Sequence, residues 1–141
     1  MIKFERNFKP LDRVIPADLH KEINVGIDLI AKDIQNGIEG GAQFGKRFTP
    51  NSPTTIKSKG FDHPLKATGI MMDKDKMIKT KATKQKQEGT LRPNEERIDI
   101  GFYHNEGKGV PLRPWFGISA DAERKVMTKI EKSFDRAINR L

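Results

Sequence analysis

Apolar residues recur at two spacings along the chain, and each spacing predicts a type of element. An alternation of two near the amino terminus predicts a short half-buried strand that ends at Pro10. The apolar positions of this strand are Ile2, Phe4 and Phe8. Spacings of three and four then predict a long amphipathic helix that begins near Pro16 and stops at Gly40 and Gly41. The apolar face of this helix comprises Leu19, Ile23, Ile27, Ile30, Ile34 and Ile38.

The second half of the chain predicts a hairpin and a final helix. Residues 76–82 and 98–102 each alternate apolar and polar positions, so we expect two strands of an extended β-hairpin arm. Their link, residues 83–96, is long for a hairpin loop and is expected to be mobile unless a partner holds it. Ser119 can cap a last amphipathic helix. The apolar stripe of that helix is Val126, Met127, Ile130, Phe134, Ala137, Ile138 and Leu141.

These elements predict an α+β fold in a single domain over residues 1–141. A small antiparallel β-sheet is covered by the long N-terminal helix and the C-terminal helix, and the hairpin arm extends from it. Between the first helix and the hairpin, residues 42–64 are rich in Gly, Pro, Ser and Asn but also carry Phe44 and Phe48. A loop with such large apolar groups packs either on its own core or on a neighbouring subunit.

The composition narrows the classes of function. The chain has 141 residues and no cysteine, which excludes disulfides, thiolate zinc sites and cysteine nucleophiles. No apolar run approaches the roughly 20 residues that a membrane span requires, so no membrane partner is expected. With 27 basic and 19 acidic residues, the net charge of +8 favours a polyanion partner or a charged assembly surface.

The lysines concentrate around the predicted hairpin, at Lys76, Lys79, Lys81, Lys84 and Lys86. They are interpreted either as the solvent-exposed face of a sheet or as a positive surface that contacts the DNA backbone or an acidic protein ring.

Motifs for catalysis or cofactor binding are incomplete. Residues 40–47 (GGAQFGKR) imitate a phosphate-binding loop, but Arg47 replaces the required hydroxyl, and the glycines follow a helix instead of a strand. His104 and Glu106 imitate the HxE pair of zinc deaminases without the cysteine ligands. We therefore predict no enzyme activity, no metal site and no cofactor.

Three segments together resemble the phage virion morphogenesis family, the tail completion proteins of tailed phages. The first is FTPNSPTTIKSKG at residues 48–60, and the second is HPLKATGIM at residues 63–71. The third is YHNEGKGVPLRPWFGIS at residues 103–119, which is followed by the terminal helix as in that family. The order and spacing of the three match over about residues 15–141.

The resemblance implies a structural protein of the virion neck or tail, assembled in the host cytoplasm. Subunits of such proteins form a ring, commonly of six, that completes the tail tube and joins it to the head connector. Expected partners are therefore other copies of the chain, the tail tube protein and the neck proteins, with DNA passing through the lumen past the lysines. A monomeric DNA-binding module that uses the lysine-rich face is the alternative.

The third segment supplies candidate interface residues. Arginine and aromatic side chains dominate interface hot spots, and prolines pre-set an extended loop. The predicted interface comprises Arg113, Pro114, Trp115, Phe116, Phe44 and Phe48. Because neighbours in an extended segment point to opposite sides, we expect one ring of the Trp115–Phe116 pair in the subunit's core and the other on its surface.

Overall fold

The computed structural model describes residues 2–4, 16–61, 63–66 and 69–140. Its helices are α1 (Leu19–Gly40), α2 (Pro53–Lys59), α3 (Ile98–Glu106) and α4 (Ala120–Ile138). Its strands are β1 (Ile2–Phe4), β2 (Ala42–Gln43), β3 (Lys46–Arg47), β4 (Ile78–Thr80) and β5 (Gly89–Arg92). Four positions named in the sequence analysis lie outside the described residues. They are Phe8 of the predicted first strand, Pro10 at its end, Thr68 of the second motif segment and Leu141 of the last helix stripe.

Helix α1 supplies most of the core, as the spacing of its apolar residues predicts. All six positions of the predicted face are buried, each at 4% exposure or less. Burial of one such side chain contributes about 1.5–3 kcal/mol. The helix ends because Gly41 adopts a left-handed conformation, with φ of 73°, and donates its backbone N–H to Gly37 and Ile38 carbonyls.

The main sheet has three antiparallel strands in the order β1–β5–β4 and packs beneath α1. Leu91 of the central strand β5 is fully buried and lies opposite Ile2 of β1. Gly89 permits the close approach of helix and sheet, since a Cβ atom there would lie 2.2 Å from Cδ1 of Ile27. Beyond β4, Asn24 of α1 accepts a hydrogen bond from the backbone N–H of Ala82 at 2.7 Å and donates one to its carbonyl at 3.1 Å.

Helix α4 packs against α1, which lies near the other end of the described chain. The Ser119 side chain accepts a hydrogen bond from the Ala122 N–H, so the predicted N-cap is confirmed. A Cβ atom on Gly26 of α1 would lie 3.0 Å from a methyl of Val126, which shows how closely the helices approach. The predicted stripe is only partly buried: Val126 is inside, Ile130, Phe134 and Ala137 are half-buried, and Met127 and Ile138 are exposed.

The α+β fold with long N- and C-terminal helices is confirmed, but the predicted strand over residues 98–102 is wrong. That segment forms α3. The second strand of the hairpin is β5, which lies within the predicted link and pairs with β4 in the register Lys79 opposite Leu91. The hairpin is therefore part of the sheet that α1 covers, and its loop is tied to α1 at Ala82. Mobility of the link stays a prediction.

Candidate assembly surface

Arg113 joins the first and third motif segments. Its guanidinium is buried, at 3% exposure, between α3 and the loop that precedes α2. Nε donates to the carbonyl of Thr49 at 2.6 Å, and Nη2 donates to the carbonyl of Pro50 at 2.9 Å. Nη1 lies 3.1 Å from Nδ1 of His104. A buried charge is tolerated only with such a set of acceptors, so Arg113 fixes the loop from within the chain.

His104 is held in its neutral form. Its burial, and then the positive charges of Arg113 and Lys59, lower the pKa of the imidazole from 6.5 to about 4. At neutral pH its Nδ1 therefore accepts the hydrogen bond from Arg113. Glu106, the other member of the HxE pair, is exposed at the end of α3. This geometry ties His104 to Arg113 and so helps to orient the loop that precedes α2.

Trp115 lies inside the subunit and Phe116 lies near its surface. The indole is 1% exposed, and its Nε1 donates to the carbonyl of Gly101 at 2.8 Å. The side-chain oxygen of Asn105 accepts from the backbone N–H groups of Trp115 and Phe116, at 3.0 and 3.3 Å. The half-buried Phe116 ring packs edge-on against the indole, with centroids 5.3 Å apart. Trp115 thus anchors α3 to the core.

The remaining candidate interface residues divide in the same way. Phe48 is 7% exposed and belongs to the core, whereas Pro114 is exposed. Phe44 is 38% exposed, in the turn between β2 and β3, with a positive φ of 54°. Its ring lies over Gly117, where a Cβ atom would be 2.9 Å from Cζ. Of the six, Phe44 and Pro114 are exposed and Phe116 is half-buried against the core, while the side chains of the other three are buried.

Helix α3 carries an apolar surface that the sequence analysis missed. Four of its nine residues have large apolar side chains that are 41–48% exposed: Ile98, Ile100, Phe102 and Tyr103. Gly101 is the one fully buried residue of this helix, and a Cβ atom there would lie 2.5 Å from the indole ring of Trp115. The helix therefore packs through a glycine and turns its large apolar groups to solvent. The alternation of apolar and polar residues over 98–102 indicates the inner face of a strand, so the sequence does not reveal this exposed apolar surface.

A cleft of about 320 Å³ lies where the three motif segments meet. The first segment contributes Lys59, the second Lys66 and Leu65, and the third His104 and Arg113. Three of these lining residues are cations, and the described residues of the cleft wall include no carboxylate. The segments on which the resemblance rests are therefore neighbours in space as well as in order.

The predicted lysine group is mostly exposed. Lys76, Lys81, Lys84 and Lys86 are exposed, whereas Lys79 is half-buried and pairs with Asp28 of α1 at 2.9 Å. The segment that imitates a phosphate-binding loop forms the end of α1 and the β2–β3 hairpin. A phosphate-binding loop instead requires a strand before it and a helix after it.

Within residues 2–4, 16–61, 63–66 and 69–140, no helix is long and apolar enough to cross a membrane. Within the same ranges, no three His, Asp or Glu side chains group so as to hold a metal ion. No protein-family model, curated protein or solved structure matches the chain.

Proposed function

We propose that the chain is a structural subunit of the neck or tail end of a phage particle. Copies of it assemble into a ring that completes the tail tube and joins it to the head connector. The resemblance of residues 48–60, 63–71 and 103–119 to tail completion proteins supplies the type of particle. The α+β fold agrees with what that resemblance implies.

One observation of the structure carries the assembly part of the proposal, and it is the exposed apolar face of α3. Its four side chains present on the order of 300 Å² of apolar area, which is as large as the largest patch on a typical monomer and is often functional. Leu112, in the loop that follows, adds a side chain that is 57% exposed. A surface of this kind is typical of a protein–protein contact.

The mass of the protein in solution tests self-association. Light scattering on a size-exclusion column is expected to give a ring for the wild type, and negative-stain electron microscopy should show its lumen. Phe102→Ser removes the most exposed ring of α3 and should shift the mass toward the monomer. Val25→Ser, which removes a side chain of similar exposure (43%) from α1, is the matched control and should keep the ring. A monomer at every concentration would contradict self-assembly.

A genetic experiment tests the place in the particle. Deletion of the gene from the phage genome that carries it should leave filled heads and tails that do not join, as seen by electron microscopy. Intact particles from the deletion strain would refute the proposed role.

DNA contact is a second candidate, favoured by the four exposed lysines Lys76, Lys81, Lys84 and Lys86. Contacts to phosphate release counterions, so affinity for duplex DNA should fall steeply between about 50 and 200 mM salt. A variant with these four lysines changed to glutamine should lose that binding without loss of the ring. Absence of binding at the lower salt concentration would remove both the DNA-binding module and a DNA-lined lumen.

A further inference from the structure

Two exposed apolar surfaces of the chain carry opposite charge. The acidic surface is α3 with the turn before it, which presents Ile98, Phe102 and Tyr103 together with the exposed carboxylates Glu95, Glu96, Asp99 and Glu106. Ile100 of the same helix lines the cleft instead, and Nζ of Lys108 lies 5.1 Å from the centre of the Phe102 ring. Residues 95–106 hold four acidic residues and one arginine in a chain whose net charge is +8. Residues 95–106 therefore carry a net charge of −3, opposite in sign to that of the whole chain.

The basic surface is formed by the β2–β3 hairpin and the loop that leads to α4. Phe44 and Ile118 are 38% and 37% exposed, and Pro114, four residues before Ile118, is also exposed. Lys46 and Arg47, both exposed, belong to the same hairpin as Phe44. Residues 40–61 contain four basic residues and no acidic one. Phe44 therefore shares its hairpin with two positive charges, whereas Ile118 is followed by the exposed Asp121 and Glu123 of α4.

We propose that the acidic surface of one copy docks on the basic surface of the next, and that this contact builds the ring. The inference rests on the proposed function and names the partner of α3 as a second copy of this chain. Copies with a charge of +8 repel each other over most of their surface, so association requires that opposite charges face each other. The two surfaces described here meet that condition and also supply apolar area on both sides.

The negative charge of α3 also argues against DNA as the partner of this helix. Carboxylates around an apolar surface repel nucleic acid, so DNA would contact the lysines of the hairpin and not this helix. The contact between two different surfaces is of the kind that repeats around a ring when the rotation closes. One chain therefore carries both halves of the contact.

Charge exchange tests the pairing. The acid-reversed variant carries Glu96→Lys and Glu106→Lys, and the base-reversed variant carries Lys46→Glu and Arg47→Glu. We expect either variant alone to be a folded monomer with self-association weakened about 100-fold or more, because like charges then face each other. An equimolar mixture should restore the oligomer, with the two chains at a one-to-one ratio by native mass spectrometry. Circular dichroism and the fluorescence of Trp115 verify the fold of each variant.

A control and three contrary outcomes complete the test. The control is Lys84→Glu with Lys86→Glu, at exposed positions of the β4–β5 loop. It makes the same change in net charge as the base-reversed variant and should leave the oligomer intact. If the wild type and both reversed variants are all oligomeric, the proposed contact is wrong but the proposed ring is not. Two monomeric variants whose mixture stays monomeric would refute the pairing of these surfaces with each other. A wild type that is monomeric at every concentration would overturn the contact and the ring together.

Discussion

Replacement of Gly101 by alanine tests the packing of α3 on the core. The carbonyl of Gly101 accepts the indole hydrogen bond of Trp115 at 2.8 Å, and its Cα faces the ring. A methyl group at this position would lie 2.5 Å from Cζ2 of Trp115, whereas carbon atoms in contact are about 3.5–4.0 Å apart. Helix α3 would have to move by about 1 Å, and the hydrogen bond that its backbone accepts would lengthen.

Three effects set the size of the change. Overpacking of a well-filled core costs about 1–3 kcal/mol, and a weakened hydrogen bond costs about 1 kcal/mol more. Alanine is favoured over glycine in a helix by about 1 kcal/mol, which offsets part of the loss. We expect Gly101→Ala to lower the free energy of unfolding by about 2 kcal/mol.

Urea denaturation followed by tryptophan fluorescence measures this change, because Trp115 is the only tryptophan of the chain. The control is Gly40→Ala at the end of α1, where a Cβ atom meets nothing within 4 Å. That substitution should raise the free energy of unfolding by up to about 1 kcal/mol. Gly26→Ala, with a Val126 methyl at 3.0 Å, should fall between the two. A Gly101→Ala protein as stable as the wild type would refute the packing of α3 on the indole.

Three further predictions concern the buried polar groups. Arg113→Met removes a buried guanidinium from two carbonyls and should lower the free energy of unfolding by about 3 kcal/mol, measured in urea. His104 should make stability depend on pH: its pKa is lower in the folded chain, so the unfolded chain binds the proton first. The contribution is complete above about pH 6.5 and is lost progressively toward pH 4, as urea denaturation across this range would show. Asn24→Ala removes both hydrogen bonds to Ala82 and should speed hydrogen exchange of the Ala82 amide at least about tenfold.

Each of these predictions has a control. Arg140→Met changes an exposed arginine outside both proposed surfaces and should alter the free energy of unfolding by less than about 0.5 kcal/mol. His104→Gln should flatten the slope between pH 6.5 and 4, and an unchanged slope would assign it to another group. Asn36→Ala, an exposed position on the same helix, should leave exchange at Ala82 unchanged. Equal exchange in wild type and Asn24→Ala would show that the β4–β5 loop is held by other contacts.

The sequence predicts the helices well because their burial follows their period. In α1 every apolar residue at the expected spacing is buried, and Gly41 stops the helix as glycine does at that position. The amino acids of α4 also show the period, although Met127 and Ile138 remain exposed. A stripe therefore predicts the helix but not which of its members reach the core.

The prediction of secondary structure fails where apolar side chains are exposed and a residue without a side chain is buried. In α3 the apolar side chains face solvent and a glycine faces the core, so the alternation of Ile98, Ile100 and Phe102 indicates a strand that does not form. The strand that does form, β5, has glycine at its first position because α1 leaves no room for a side chain there. The candidate interface residues divide for a similar reason: the motif contains Trp115 and Arg113 but does not show whether their side chains are buried or exposed.

The two ends of the chain complete each other's packing, and this affects how the protein can be made. Strand β1 pairs with β5 about 85 residues later, and Asp18, just before α1, accepts a hydrogen bond from Ser133 of α4, 115 residues away. Until α4 has been synthesised, the surface of α1 around Gly26 has no Val126 to cover it. Fragments that lack α4 should therefore expose part of the apolar face of α1 and aggregate more readily than the whole chain.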